Sequence, residues 1–330
     1  MLAAFILRRC LMTIPMLLAI SFVSFVIIEL PPGSFLEQKL VQLEMVSGDA
    51  SSMIHVEQLK RRYGMDRPFL IRYLTWIKGI VIHGDFGESF AYEREVSELI
   101  WSYLGYTVLI SSLSLILVYA LALPLGAWAA QHRGRWQDTL MSCFSFAALS
   151  IPEFLLALFL LAFGVFYLDY CLIGLNSPEF TFSPWNQDKI LDLLIHLPLP
   201  VLVVALNGTA GLARIMRSSM LDVLGQPYIL AARARGLSRS QVLGRHALRM
   251  AINPMISILG MSLPGLISGS AIISIVLNLP TAGLLLFESL KSQDMYLAGT
   301  LVLMMSALLI LGNLLADIAL AVADPRIRHD

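Results

Sequence analysis

The sequence has 330 residues, of which 57% are hydrophobic and only 14% are charged, and its mean hydropathy is +0.75. This composition excludes an ordinary water-soluble domain and predicts an all-α polytopic membrane protein. The formal net charge is zero, so the charge balance gives no indication of a nucleic-acid partner.

Apolar runs near twenty residues in length predict about six transmembrane helices. They cover residues 9–30, 103–130, 139–170, 196–216, 251–277 and 295–322. The first run is longer than the apolar core of a signal peptide and has no small-residue cleavage site after it, so we expect it to be retained. The predicted organisation is a first helix (1–30), a polar segment (31–102) and a five-helix core (103–330).

Arginines are concentrated in alternate loops, and this asymmetry predicts the orientation of the chain. The N-terminus, the loop after the second span and the loop after the fourth span are basic, whereas the two remaining loops of the core are acidic. Because basic loops stay in the cytoplasm, we expect both termini and the central loop to face the cytoplasm. The segment 31–102 is then extracytoplasmic.

The extracytoplasmic segment contains two stretches with helical patterning. Residues 56–63 form a charged helical stretch, and residues 69–82 place Tyr73, Trp76 and Ile77 on one side of a helix. The second stretch predicts an amphipathic helix that lies against the membrane or against the bundle. Glycines at 84 and 87 indicate a turn after it.

The central loop, residues 217–250, is the most informative stretch. Pro227 suits the first turn of a short helix over residues 228–235, and Gly236 suits the position after its end. Ser238 and Gln241 have the spacing of a capping box that begins a second helix. Cytoplasmic location alone would explain the arginines of this loop, but it would not require the turn or the second cap.

Three motifs in this order resemble the oligopeptide/dipeptide permease family of ATP-binding-cassette (ABC) importers, and the resemblance covers essentially the whole chain. The first motif follows the first span and runs from Tyr63 to Phe90, the second is the central loop, and the third is the closing Asp324–Arg328 stretch. The central loop resembles the family's EAA loop, although Leu230-Ala231-Ala232 stands where other permeases have the glutamate. The matching residues of the loop are Tyr228, Ala232, Arg233, Ala234, Gly236, Leu237, Ser238 and Pro254.

The resemblance implies a type I ABC importer bundle in a bacterial or archaeal inner membrane, with a helical extracytoplasmic segment after the first span. It implies four kinds of partner: membrane lipid, a second homologous permease subunit, two ABC ATPase subunits and an extracytoplasmic substrate-binding protein, which is expected to meet the segment 31–102. The short helix would be the element that couples this chain to the ATPase subunits. The coupling residues implied are Tyr228, Ala231, Ala232, Arg233, Ala234, Arg235, Gly236 and Leu237. The i, i+3, i+4, i+7 spacing of Tyr228, Ala231, Ala232 and Arg235 predicts that these four share one exposed face of the helix.

Candidate residues for the translocation path lie in the third and fifth spans. Pro264, Ser268 and Ser270 belong to a stretch of small residues and a proline that would suit either a path or a packing face toward a sister subunit. Glu153 is a carboxylate within an apolar run, which is a functional candidate by default. It would equally suit a helix end, or a polar partner for backbone groups beside Pro152.

No motif indicates catalysis or a cofactor. None of the five lysines follows a glycine, so the phosphate-binding loop G-x-x-x-x-G-K-[ST] is missing and ATP hydrolysis is expected in partner subunits. The cysteines at 10, 143 and 171 have no metal-ligand spacing. The resemblance implies passage of di- or oligopeptides, with an oligosaccharide, an opine or a nickel complex as alternative solutes. A secondary transporter and a membrane scaffold are alternative classes.

Overall fold

A computed structural model describes residues 2–29, 67–89, 91–168, 173–181 and 183–323, and these residues are mainly helical. The N-terminal part contains α1 (Leu2–Glu29), α2 (Phe69–Lys78) with a π-helical turn (Gly79–His83), and a short hairpin of β1 (Glu88–Ser89) and β2 (Arg94–Glu95). The predicted amphipathic helix therefore exists as α2 and its π-helical turn. The predicted helical stretch at 56–63 and the closing motif lie outside the described residues.

The remaining elements follow the predicted spans with two interruptions. They are α3 (Val96–Gln131), α4 (Trp136–Ser150), α5 (Glu153–Leu168), a 3-10 turn (Pro178–Phe180), α6 (Gln187–His196), α7 (Pro198–Leu224), α8 (Pro227–Ala234), α9 (Arg239–Gln241), a π-helical turn (Val242–Ala247), α10 (Leu248–Ala251), α11 (Asn253–Leu277), α12 (Ala282–Lys291) and α13 (Met295–Ala323).

Four helical stretches of the described chain are long and apolar enough to cross a membrane: Ile6–Glu29, Val96–Gln131, Gln187–Leu224 and Met295–Ile318. Two bent pairs of helices pass the same criterion, which gives up to six spans and includes the predicted number. The third predicted span is not one helix, because α4 and α5 meet at 97°. Ile151 is extended (φ −89°, ψ 122°), as expected for a residue before a proline.

The loop between the fifth and sixth predicted spans contains a further helix. Residues 282–291 form α12, and the final turn of α11 meets it at 80° after Asn278, which has a left-handed backbone (φ 51°). Asn tolerates this conformation better than most residues do, so it suits the end of α11.

The described chain divides into two units, and the larger one comprises Met1–Leu7, Tyr106–Leu284 and Leu311–Asp330. Its core contains two apolar clusters: one joins α3, α4 and α7 to the central loop, and the other joins α3, α5, α6, α7 and α11. Gly126 of α3 permits a close approach to α7, because a Cβ there would lie 2.5 Å from the carbonyl oxygen of Ala213. Close backbone contact of this kind is typical of membrane helix pairs.

The smaller unit comprises Arg8–Gly105 and Leu285–Ile310. The apolar face of α2 packs as expected, with Tyr73 and Trp76 against Phe25 of α1 and Ile77 against the same apolar cluster. The fully buried Asp294 accepts hydrogen bonds from Ser89 Oγ (2.6 Å) and from the backbone N–H of Ala91 (3.1 Å), which holds the hairpin against the start of α13.

Tyr92 makes a second contact of the hairpin with the C-terminal part of the same unit. Its hydroxyl donates a hydrogen bond to the Glu288 carboxylate at 2.6 Å. Burial and this bond raise the pKa of Tyr92 above its ordinary value.

Candidate functional site

The first helix of the central loop begins and ends as the sequence predicts. Pro227 occupies its first turn, and the chain leaves it through Gly236, whose φ is +80°. The N–H of Gly236 donates to the Arg233 carbonyl (2.9 Å), and the N–H of Leu237 donates to the Ala232 carbonyl (3.4 Å). These two bonds form a Schellman motif, which requires a left-handed residue at Gly236.

The predicted capping box opens the second helical part. Ser238 Oγ accepts from the N–H of Gln241 (3.4 Å), and the N–H of Ser238 donates to Gln241 Oε1 (3.1 Å). The two helical parts are therefore joined by a turn that is specified at both ends by local hydrogen bonds. This geometry gives the loop a defined shape rather than a flexible one.

Burial divides the residues of α8 into two groups. Ile229 and Ala232 are buried against the larger unit's core, in the same cluster as Val242 and Ala247 of the π-helical turn. The exposed residues from α8 to the turn after it are Pro227, Tyr228, Leu230, Ala231, Arg233, Ala234, Arg235 and Gly236. Ala232 was expected on the exposed face with Tyr228, and that expectation is wrong, because it lies three residues after Ile229 and shares its inward-facing side.

Hydrogen bonds and an ion pair connect the loop's flanking helices to the bundle. Ser219 Oγ of α7 donates to the Ala251 carbonyl of α10 at 2.9 Å, and Tyr119 of α3 donates to the Met255 carbonyl of α11 at 2.8 Å. The Arg217 guanidinium of α7 binds the buried Asp138 of α4 through Nε and through Nη2, the latter at 2.8 Å. Displacement of the loop would therefore be transmitted to several helices.

The candidate residues of the translocation path are not brought together with the loop. Glu153 is the first residue of α5, directly after the bend, and its Oε1 accepts from Asn207 Nδ2 of α7 at 3.1 Å. Glu153 therefore lies at a helix end and has a polar partner, as in the second of the two interpretations given for it above. Pro264, Ser268 and Ser270 lie in α11, but their side chains are outside the described residues.

Two polar side chains of this region were not singled out from the sequence. Asp138 and Asn207 stand 79 and 54 residues from their partners Arg217 and Glu153. Sequence spacing carries no information on such pairs. An acid next to a predicted membrane helix does need compensation, and that requirement was the available signal for Asp138.

The chain matches two family models that together cover almost its full length. Residues 122–329 match the model for the binding-protein-dependent transport system inner membrane component. The chain belongs to this family. Residues 1–113 match the model for the N-terminal part of such membrane components. The family resemblance read from the three motifs is thus confirmed, and the chain is an integral inner-membrane protein.

Curated relatives match along their whole length. The chain is 36% identical to the oligopeptide transport system permease protein AppB of Bacillus subtilis, over 99% of this chain and 100% of that protein. It is 31% identical to the oligopeptide transport system permease protein OppB of Haemophilus influenzae, over 98% and 99% of the two chains.

A solved structure of the MetNI methionine ABC transporter in an inward-facing conformation shares the fold. The TM-score is 0.53 at 16% sequence identity, and the match covers 68% of this chain and 96% of that one. This similarity confirms the predicted type I importer fold.

Proposed function

We propose that this chain is the permease subunit of an ABC importer, forms half of a translocation path for di- or oligopeptides, and couples that path to separate ATPase subunits. The observation that carries the proposal is the exposed face of α8. The opposite face of this helix is packed into the core through Ile229 and Ala232. An alanine- and arginine-rich surface with an exposed tyrosine suits insertion into a groove of another protein. The peptide class is supported by the names of the full-length relatives.

The position of α8 explains how a docked partner would move the bundle. One residue pair, Gly225 and Gln226, separates α8 from α7, and the capped turn leads through α10 to α11. A partner that displaces α8 as a rigid body would tilt both long helices together. In this proposal the assembly contains a second, similar permease subunit, two ATPase subunits and an extracytoplasmic binding protein.

Reconstitution tests the proposal directly. The chain, a second permease subunit, two ATPase subunits and a binding protein are placed in proteoliposomes, and ATP hydrolysis and uptake are measured with dipeptides and longer peptides. We expect both activities to require this chain, ATP and peptide. Uptake that persists without ATP and follows an ion gradient would replace the proposal with secondary transport. Stimulation by an oligosaccharide or a nickel complex alone would replace the peptide class.

Cysteine labelling in whole cells tests the predicted orientation. Asp188 and Ser240 are both exposed, and Ser240 is preferable to Ser238 because Ser238 caps a helix. A membrane-impermeant maleimide applied from outside should label Asp188→Cys and leave Ser240→Cys unlabelled until the membrane is opened. Labelling of both from outside would contradict a cytoplasmic central loop. A cysteine at the exposed Glu93 should label with Asp188→Cys and cross-link to the binding protein during turnover.

A further inference from the structure

Two arginines on one side of α7 line an open cavity next to α4. Arg214 and Arg217 are three residues apart and therefore share a helix face. The cavity has a volume of about 710 Å³, which lies within the range of about 300–1,000 Å³ typical of small-molecule sites. Its other lining residues are Ser142, Phe146, Gly211, Ile215 and Ser218.

The charge of this cavity comes from Arg214 alone. Arg217 is neutralised by Asp138, whereas no carboxylate in the described part of the chain pairs with Arg214. The Arg214 guanidinium lies 5.0 Å from the centre of the Phe146 ring, a cation–π contact that holds it at the cavity. The cavity therefore presents one uncompensated positive charge beside an aromatic wall.

The location of Arg214 makes this charge unusual. It belongs to the apolar stretch Gln187–Leu224, which is long enough to cross a membrane. Arg214 is exposed on the isolated chain, and a cation within a membrane-spanning stretch is a functional candidate because bilayer hydrocarbon would desolvate it at a cost. An arginine that serves only to orient the helix would need neither a cavity nor a neighbouring hydroxyl such as that of Ser218.

We propose that this cavity binds an oxyanion carried on an apolar body. Arg214 would donate to the anion together with the Ser218 hydroxyl, and Phe146 and Ile215 would contact the apolar part. Two sources share this chemistry: the phosphate of an anionic membrane lipid and the carboxylate of a transported peptide. The peptide source rests on the proposed function, whereas the lipid source does not.

The lipid source is tested on the full chain in nanodiscs of phosphatidylcholine, with and without phosphatidylglycerol. Native mass spectrometry measures the phosphatidylglycerol retained. Arg214→Gln should weaken retention by at least about tenfold, since it removes a charged hydrogen bond. Arg214→Lys should keep most of it. The control Arg135→Gln removes an exposed arginine from the turn before α4 and should have no effect.

A steric variant tests the space independently of the charge. A Cβ at Gly211 would meet nothing within 4 Å, so Gly211→Leu should fill the cavity without disturbing α7. We expect it to reduce retention as Arg214→Gln does, with normal amounts of protein in the membrane.

The peptide source is tested in the reconstituted importer with one peptide as the free acid and as the C-terminal amide. Any preference of the binding protein is the same for both permeases and cancels in the comparison. If the carboxylate occupies the cavity, Arg214→Gln should lower the acid-to-amide uptake ratio by about tenfold. Wild-type lipid retention and a wild-type ratio in both Arg214→Gln and Gly211→Leu would overturn the proposal. Failure of the wild-type importer to take up any peptide would instead contradict the proposed function and leave the lipid test standing.

Discussion

Asp138→Ala should lower the thermal stability of the purified chain markedly. The side chain of Asp138 is 9% exposed, accepts two hydrogen bonds from Arg217, and accepts another from the N–H of Gly134 at 3.0 Å. Its removal leaves the partly buried Arg217 guanidinium and the Gly134 N–H without their acceptor. We expect a loss of about 3 kcal/mol, at the lower end for a broken buried pair, because the Arg217 side chain retains 29% exposure.

A double variant separates the ion pair from the simple loss of a side chain. Asp138→Ala with Arg217→Met should be more stable than Asp138→Ala alone, because no unpaired charge remains in the bundle. The matched control is Arg94→Ala, which breaks an ion pair with Glu98 whose side chains are 61% and 58% exposed. Exposed pairs contribute little, so the control should melt like the wild type. Equal melting of Asp138→Ala and Arg94→Ala in detergent would show that the buried pair does not stabilise the chain.

Local signals predicted the geometry of the central loop correctly, because the interactions that specify it lie within a few residues. Pro227, the left-handed Gly236 and the Ser238–Gln241 box each act on the backbone next to them. The burial of Ala232 depends instead on the surface beneath the helix. Ala232 is four residues after Tyr228 and three residues after Ile229, so helical spacing alone places it equally well on either face. The apolar side chain of Ile229 was the better indication of the buried face.

The prolines also show that local sequence alone does not determine where a helix ends. Pro15 and Pro124 lie inside α1 and α3 without ending them, whereas the chain bends by 97° at Pro152. Steric conflict with the preceding residue disfavours the helix in every case, but neighbouring helices can stabilise the helical conformation. Which outcome occurs depends on the packing around the proline. The pairs Asp138–Arg217 and Glu153–Asn207 likewise exist only once α4, α5 and α7 are packed together.

The largest functional effect is expected at Ala231, on the exposed face of α8. Ala231→Asp leaves Ile229 and Ala232 in the core and therefore should not change the amount of chain in the membrane. If α8 docks in an ATPase groove, a carboxylate at the centre of that contact would be desolvated without a partner. Peptide-stimulated ATP hydrolysis by the reconstituted complex should fall by at least about tenfold.

Neighbouring variants distinguish docking from damage to the loop itself. Ala232→Asp places a charge at a position that is 1% exposed, so we expect it to destabilise the loop by about 3 kcal/mol or more and to lower the amount of assembled complex. Gly236→Val meets no neighbouring atom within 4 Å but forces a β-branched residue to φ +80°, at a cost on the order of 1 kcal/mol or more. It should reduce ATPase coupling through the shape of the turn.

Two mild variants complete the comparison at α8. Ala231→Ser introduces a side chain that is small and uncharged, so it should retain activity. Ser240→Asp places the same charge as Ala231→Asp on the exposed second helical part, away from the α8 face. Among the side-chain variants Ala231→Asp, Ala231→Ser, Ala232→Asp and Ser240→Asp, only Ala231→Asp should combine a normal level in the membrane with lost stimulation. If the Ala231→Asp complex hydrolyses ATP and imports peptide at the wild-type rate, the exposed face of α8 is not the surface that transmits ATP hydrolysis to α7 and α11.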